Sequence, residues 1–161
     1  MKYKGHISAA ELIAKLRNDA DHQHREAEKD HVREERQKAH ECLFEPYLTE
    51  LHSHGLDGDS LEDIVRAHSP LPEYAVDVLL ASLDAISEPR LLESIVRALG
   101  VSERPFDGRP LARCFDSSDD EALRWAVINT IALTRPYSID GWLSRLRDSP
   151  YWDTALHNLG V

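Results

Sequence analysis

The chain has 161 residues, of which 30% are charged and 42% hydrophobic, and its formal net charge at pH 7 is −10. No apolar run approaches the roughly 20 residues that a transmembrane helix needs, so the composition predicts a globular protein that does not enter a membrane. The acidity also disfavours nucleic-acid binding, because a negatively charged surface repels phosphate.

The negative charge is unevenly distributed along the chain. Residues 1–54 hold nine Lys and Arg against eleven Asp and Glu, whereas residues 55–161 hold ten against eighteen. Lysine does not occur after Lys38. Because long-range fields bias which molecules meet, this distribution predicts a protein partner that is itself basic.

The opening residues and the two cysteines indicate the compartment. The opening "MKYKGHISAAEL" contains no continuous apolar region, so we expect no secretion signal and predict a cytoplasmic protein. Cys42 and Cys114 have no paired spacing, and we expect both to be reduced, partly buried small hydrophobes. No Gly-rich phosphate loop or nucleophile motif occurs, so we expect no cofactor.

A short helix is predicted at the start of the chain, and a long charged helix follows it up to Gly55. Within the long helix opposite charges recur one turn apart, as in Glu26 with Lys29. Each such pair contributes about 0.2–0.5 kcal/mol, and several in series can stabilise a helix that buries little. We therefore predict that residues 21–41 form a helix surrounded by solvent.

Histidines in this charged helix offer an alternative interpretation, a metal site. His24, Glu28 and His31 fall near one helical face, and Glu28-x-x-His31 has the spacing found in di-iron carboxylate bundles. No second Glu-x-x-His occurs to complete such a site, and in a charged helix most histidines have a carboxylate one turn away. The solvated helix is the favoured interpretation, and His24, Glu28 and His31 remain the alternative metal ligands.

After Gly55 the pattern changes to short amphipathic helices separated by Pro, Gly and Ser-Asp turns. The segment "SLEDIVRAH" is capped by Ser60, and "LPEYAVDVLLASLDAI" follows it. The segment "SEPRLLESIVRALG" ends on Gly100, where we expect a left-handed C-cap. Four more helical segments lead to the C-terminus. Since no segment alternates apolar and polar residues, the sequence predicts an all-α protein of about seven to nine helices.

A repeat is the most informative feature of the sequence. The segment "LLESIVRALG" (91–100) aligns with "LRWAVINTIA" (123–132) at a shift of 32 residues, and a shortened third copy, "TALHNLG", ends the chain. Helix pairs with such a period cannot bury their apolar faces alone and must stack on their neighbours, which predicts a short α-solenoid. The aligned apolar pairs are Leu91 and Leu123, Ile95 and Val127, Val96 and Ile128, and Leu99 and Ile131.

The repeated segments resemble the HEAT-repeat family. "YAVDVLLASLDAISEPRLLESIVRALG" is similar to a HEAT repeat in its A helix, short turn and B helix, and "RPLARCFDSSDDEALRWAVINTIA" resembles a second. The resemblance covers residues 70–161, although Leu-Leu (91–92) and Leu-Arg (123–124) replace the usual Val-Arg of the B helix. The whole chain is similar to small bacterial HEAT-repeat proteins. This implies one domain, 1–161, with a charged helical region (1–54) and HEAT-like repeats (55–161).

The resemblance implies a function in binding rather than catalysis. HEAT stacks present a wall of helices and inter-helix turns, and here the turns are acidic and aromatic side chains occur late in the chain. We therefore expect a non-catalytic protein-binding module, of immunity-like or regulatory type, that masks a basic partner. Two alternatives stay open: a metal-dependent or lyase-like HEAT-repeat enzyme, and a homodimer formed through the N-terminal helix. The candidate partner-binding residues are Asp116, Asp119, Asp120, Glu121, Trp125 and Trp152, whereas Trp142 is expected in the core.

Overall fold

A computed structural model describes residues 8–10 and 19–151, with the side chains of Ala20 and Asp21 excepted. This part of the chain is all-α, as predicted, and contains no strand. None of its helices is both long and apolar enough to cross a membrane. Seven helices are described in it: α1 (Ala20–Ser53), α2 (Leu61–His68), α3 (Glu73–Ala85), α4 (Pro89–Leu99), α5 (Arg109–Ser117), α6 (Glu121–Thr134) and α7 (Asp140–Arg145).

Contacts divide the chain into two units, Met1–Cys42 and Leu43–Val161. In the first unit α1 is a charged helix whose residues 22–41 are exposed or half-buried, which confirms the predicted solvated helix. Ion pairs one turn apart follow its surface, with 2.7 Å between Lys29 Nζ and Glu26 Oε1 and 3.2 Å between Arg33 Nη1 and Asp30 Oδ1. These local pairs stabilise a helix that has little apolar surface to bury.

The end of α1 belongs to the second unit because its apolar residues enter a core. Phe44, Leu48 and Leu51 are buried there, one helical turn apart or close to it. The helix ends at Ser53, and Gly55 follows with φ of +82°, a left-handed conformation that glycine adopts without a steric penalty. This turn leads the chain towards α2.

Helices α3 to α6 pack as two pairs. Within each pair consecutive helices are in contact, α3 with α4 and α5 with α6. Between the pairs, α3 contacts α5 and α4 contacts α6. Helix α2, which precedes the first pair in the sequence, also contacts α4. The burial predicted from the repeat is confirmed, because all eight aligned apolar residues of α4 and α6 are buried.

The two pairs also share the N-cap of the second helix and the bridge that closes the pair. At the start of α4 the Glu88 carboxylate accepts a hydrogen bond from the Leu91 amide, and at the start of α6 the Asp120 carboxylate accepts one from the Leu123 amide. The two caps are 32 residues apart, the shift found in the sequence. Each pair is also closed by an isolated parallel bridge between the segment before its first helix and the segment after its second, Leu71 with Ser102 and Asp107 with Tyr137.

The conformation expected for Gly100 is wrong. Its φ is −63°, so it continues the right-handed turn, whereas the C-cap of α6, Arg135, is left-handed with φ of 48°. A Cβ at Gly100 would lie 3.0 Å from the Arg97 carbonyl oxygen and 3.6 Å from Thr130 Oγ1. The first distance is tight and lies within the turn that ends α4, whereas the second is an ordinary van der Waals contact with α6. At this point Thr130 Oγ1 donates a buried hydrogen bond of 2.8 Å to the Val96 carbonyl.

Candidate functional site

A groove of about 650 Å³ lies where the turns of the two helix pairs come together. The end of α3 and the start of α4 form one side, and the end of α5 and the start of α6 form the other. The groove exists because α3 stacks on α5 and α4 on α6, which brings the two turns side by side. Its floor is apolar and consists of the buried residues Leu83, Ile86, Leu92, Cys114 and Leu123.

The rim of the groove is polar and mainly acidic. Asp84, Asp119 and Asp120 contribute carboxylates, and Arg113 is the single cationic residue that lines it among the described side chains. Arg113 donates two hydrogen bonds to Asp84, from Nε at 3.2 Å and from Nη2 at 2.6 Å. This interaction raises the pKa of the Arg113 guanidinium above its usual value. Pro89 and three serines, at 87, 117 and 118, complete the lining.

The four predicted acidic residues occupy this region but differ in their contacts. Asp119 is fully exposed at the groove and lies 3.5 Å from Arg124 Nη2, while Glu121 is exposed next to it. Asp120 lines the groove and caps α6. Asp116 lies outside the lining, where it accepts hydrogen bonds from the Trp142 indole at 3.1 Å and from Arg145 at 3.3 Å. Of these four residues, Asp119 and Glu121 therefore neither cap a helix nor form a hydrogen bond with a buried aromatic ring.

The late aromatic residues form a cluster rather than a line along the groove. Phe115 packs edge-on against Trp142 with ring centroids 5.3 Å apart, and against Tyr151 at 5.2 Å. Trp142 is buried in the core as expected. Trp125 is half-buried, and its ring lies 5.0 Å from that of Tyr151. Trp152 lies outside the described residues.

The alternative metal ligands converge with no further ligand in the part of the chain that the structure describes. His24, Glu28 and His31 are all exposed on α1, and His31 Nε2 lies 3.4 Å from Glu35 Oε1. Among residues 8–10 and 19–151, no group of three or more His, Cys, Asp or Glu side chains is placed to hold a metal ion. Transition-metal sites require three or four convergent ligands, and one exposed helical face of this part of the chain does not supply them.

The two cysteines differ from each other, so one of the two expectations is wrong. Cys114 is buried in the floor of the groove, as expected, whereas Cys42 is exposed on α1. Burial, together with the negative charge of Asp84, raises the pKa of the Cys114 thiol to about 11. A thiol with such a pKa is protonated at neutral pH and is a poor nucleophile.

Sequence reasoning missed the half of the groove contributed by α3 and α5. Asp84 and Arg113 are 29 positions apart, and each resembles an ordinary exposed charge on an amphipathic helix. The signal that could have found them is the repeat itself, because stacking equivalent helices places the end of α3 beside the end of α5.

Comparisons with protein-family models, with curated proteins and with solved structures found no match for this chain. Neither a relative nor a structural neighbour therefore supplies a site or an activity. A functional proposal depends on the chemistry of the residues themselves.

Proposed function

We propose that residues 61–151 are a short stack of HEAT-like helix pairs that serves as a non-catalytic protein-binding module for a basic partner. The stacked-pair architecture is supported by three features that recur in both pairs: buried apolar residues at matching positions, an acidic cap on the second helix and a closing bridge. In such stacks each pair buries its apolar face on its neighbours, which leaves turns and outer helix faces for binding.

The observation that carries the functional proposal is an excess of exposed carboxylates without an ion pair. Ten arginines lie between residues 55 and 151, and at least eight of them pair with an Asp or Glu of the described part of the chain. Eight exposed carboxylates in the same range have no ion-pair partner among the described side chains. These are Asp57, Asp59, Glu62, Asp77, Glu103, Glu121, Asp140 and Asp148.

Uncompensated negative charge of this kind favours one class of partner. It accelerates encounter with a basic protein and repels nucleic acid and anionic lipid. A concrete form of the proposal is an immunity-like or regulatory protein that masks the cationic surface of its partner. The enzymatic alternative, metal-dependent or lyase-like, finds no support in the described residues, where Cys114 is held protonated and the histidines of α1 do not converge with other ligands.

Affinity capture from the source organism tests this proposal. The bait is the full chain, and retained proteins are identified by mass spectrometry at about 0.05 M and about 0.5 M salt, which changes the screening length from above 10 Å to below 5 Å. We expect basic proteins to be retained at the lower concentration and released at the higher. Asp59→Lys with Glu121→Lys should abolish their capture, whereas the charge-preserving pair Asp59→Glu with Glu121→Asp should not.

Two outcomes would contradict the proposal. One is the recovery of only acidic proteins or nucleic acid. The other is a basic partner that the charge-reversed protein retains as well as the wild type does, because uncompensated surface charge would then have no part in recognition.

A further inference from the structure

We infer that the groove between the two turns binds a segment of the partner that places apolar side chains next to basic ones. This inference rests on the proposed function and specifies its site. The floor and the rim of the groove each determine one property of that segment.

The floor favours apolar side chains. Leu83 and Ile86 from the first pair and Cys114 and Leu123 from the second line the groove, whose volume of about 650 Å³ is open to solvent. Each methylene group that a partner buried there would contribute about 0.8 kcal/mol before the cost of ordering the segment is subtracted. A purely charged segment would not gain the free energy of burying apolar groups on this floor.

The rim and its surroundings favour basic side chains. The residues that line the groove carry three carboxylates, those of Asp84, Asp119 and Asp120, against one guanidinium group, that of Arg113. Their neighbours in the sequence add four carboxylates and two guanidinium groups, on Glu88, Glu93, Asp116 and Glu121 and on Arg90 and Arg124. Arg113 is paired with Asp84, Arg124 with Asp119 and Arg90 with Glu93, so carboxylates remain in excess.

Helix dipoles oppose this charge only in part. The N-termini of α4 and α6 are at the groove and carry partial positive charge, and Glu88 and Asp120 already cap them. Asp119 lies 3.5 Å from Arg124 Nη2 but is fully exposed, and Glu121 next to it is exposed with no ion-pair partner among the described side chains, so both carboxylates are accessible to a cation. Complementary charge thus selects a basic segment over an acidic one, and the floor selects a basic segment that also carries apolar residues.

The test uses the full chain and a fluorescein-labelled decapeptide that alternates arginine with leucine. Matched peptides alternate glutamate with leucine, or arginine with glycine. By fluorescence anisotropy we expect the arginine–leucine peptide to bind, the glutamate–leucine peptide not to bind, and the arginine–glycine peptide to bind at least roughly tenfold more weakly because it does not contact the floor.

Matched variants locate the binding site. Asp119→Lys at the groove should weaken binding of the arginine–leucine peptide by roughly tenfold, whereas Asp59→Lys, with the same charge change in an exposed loop, should weaken it less than about threefold. Ser87→Arg places a bulky cation at the groove mouth, and Ala67→Arg makes the same charge change on the exposed surface of α2. All four positions are exposed, and thermal melting checks that each variant is folded.

The outcomes separate this inference from the proposed function. Equal loss of binding in Asp119→Lys and Asp59→Lys would contradict binding in the groove but not the proposal of a basic partner. Equal loss in Ser87→Arg and Ala67→Arg would have the same meaning. Absence of binding to the arginine–leucine peptide, while the wild-type chain still captures basic proteins, would also overturn the groove alone. Failure of both the peptide and the capture experiment would remove the proposed function as well.

Discussion

Asp120 and Glu121 are neighbours in the sequence, but they have different roles in the molecule. Asp120 accepts a hydrogen bond of 2.9 Å from the Leu123 amide and so satisfies one of the free N–H groups at the start of α6. Glu121 is exposed on the first turn of α6. The sequence alone suggested equal roles for the two in partner binding.

We predict that Asp120→Ala lowers the free energy of unfolding by about 0.5–2 kcal/mol, the usual cost of a lost N-cap. Glu121→Ala, at the adjacent exposed position, should change it by less than about 0.5 kcal/mol. Urea denaturation followed by circular dichroism measures both. Equal effects of the two substitutions would show that the cap is not formed in solution.

Thiol labelling separates Cys42 from Cys114. At pH 8 the Cys114 thiol, with its pKa raised to about 11 and its side chain buried, has almost no reactive thiolate. We predict that an aromatic disulfide reagent modifies one thiol per folded chain rapidly and the second only when the protein unfolds. Cys42→Ser should remove the rapid reaction and Cys114→Ser should retain it, and a rapid reaction in the Cys42→Ser protein would contradict the burial of Cys114.

Among the helices, the contact of α4 with α6 is anchored by a polar group as well as by apolar residues. Thr130 Oγ1 donates to the Val96 carbonyl, while the Gly100 amide, next in line for that carbonyl, bonds elsewhere. The hydrogen bond therefore satisfies a buried backbone oxygen near the end of α4.

We predict that Thr130→Val, which keeps the shape of the side chain, destabilises the protein by about 1–3 kcal/mol because the Val96 carbonyl loses its partner. Thr134→Val is the control, since the Thr134 hydroxyl bonds back to the Thr130 carbonyl within its own helix and is half-buried. That substitution should cost less than about 0.5 kcal/mol. Equilibrium unfolding in urea is the measurement, and a Thr130→Val protein as stable as the Thr134→Val protein would contradict the interhelical bond.

The helices themselves could largely be predicted from the sequence. The repeat of apolar residues determined which faces of α4 and α6 are buried, because a 3.6-residue period and a 32-residue shift leave few alternatives. Gly100 was assigned wrongly because a glycine after a helix usually forms a left-handed cap, whereas here the chain keeps a right-handed turn that leads to the bridge between Ser102 and Leu71. The groove could not be predicted, because Asp84 and Arg113 meet only after α3 stacks on α5.

For the molecule as a whole, net charge and charge placement have to be considered separately. Most arginines of residues 55–151 form ion pairs, three of them within one helix, so the remaining carboxylates dominate the exposed charge. The charge excess was readable from composition. Composition did not show which carboxylates take part in no cap or ion pair, because caps and ion pairs depend on the fold.

The rate at which the captured partner associates with this chain, measured by stopped-flow between about 0.05 M and about 0.5 M salt, tests the central claim most directly. We predict that the rate constant of the wild type falls as salt rises. In the Asp119→Lys, Glu121→Lys protein it should be roughly tenfold lower at low salt and depend less on salt, because exposed rim charges act mainly on association. A rate constant that is independent of salt, or equal in the wild-type and charge-reversed proteins, would contradict recognition of a basic partner by this acidic surface.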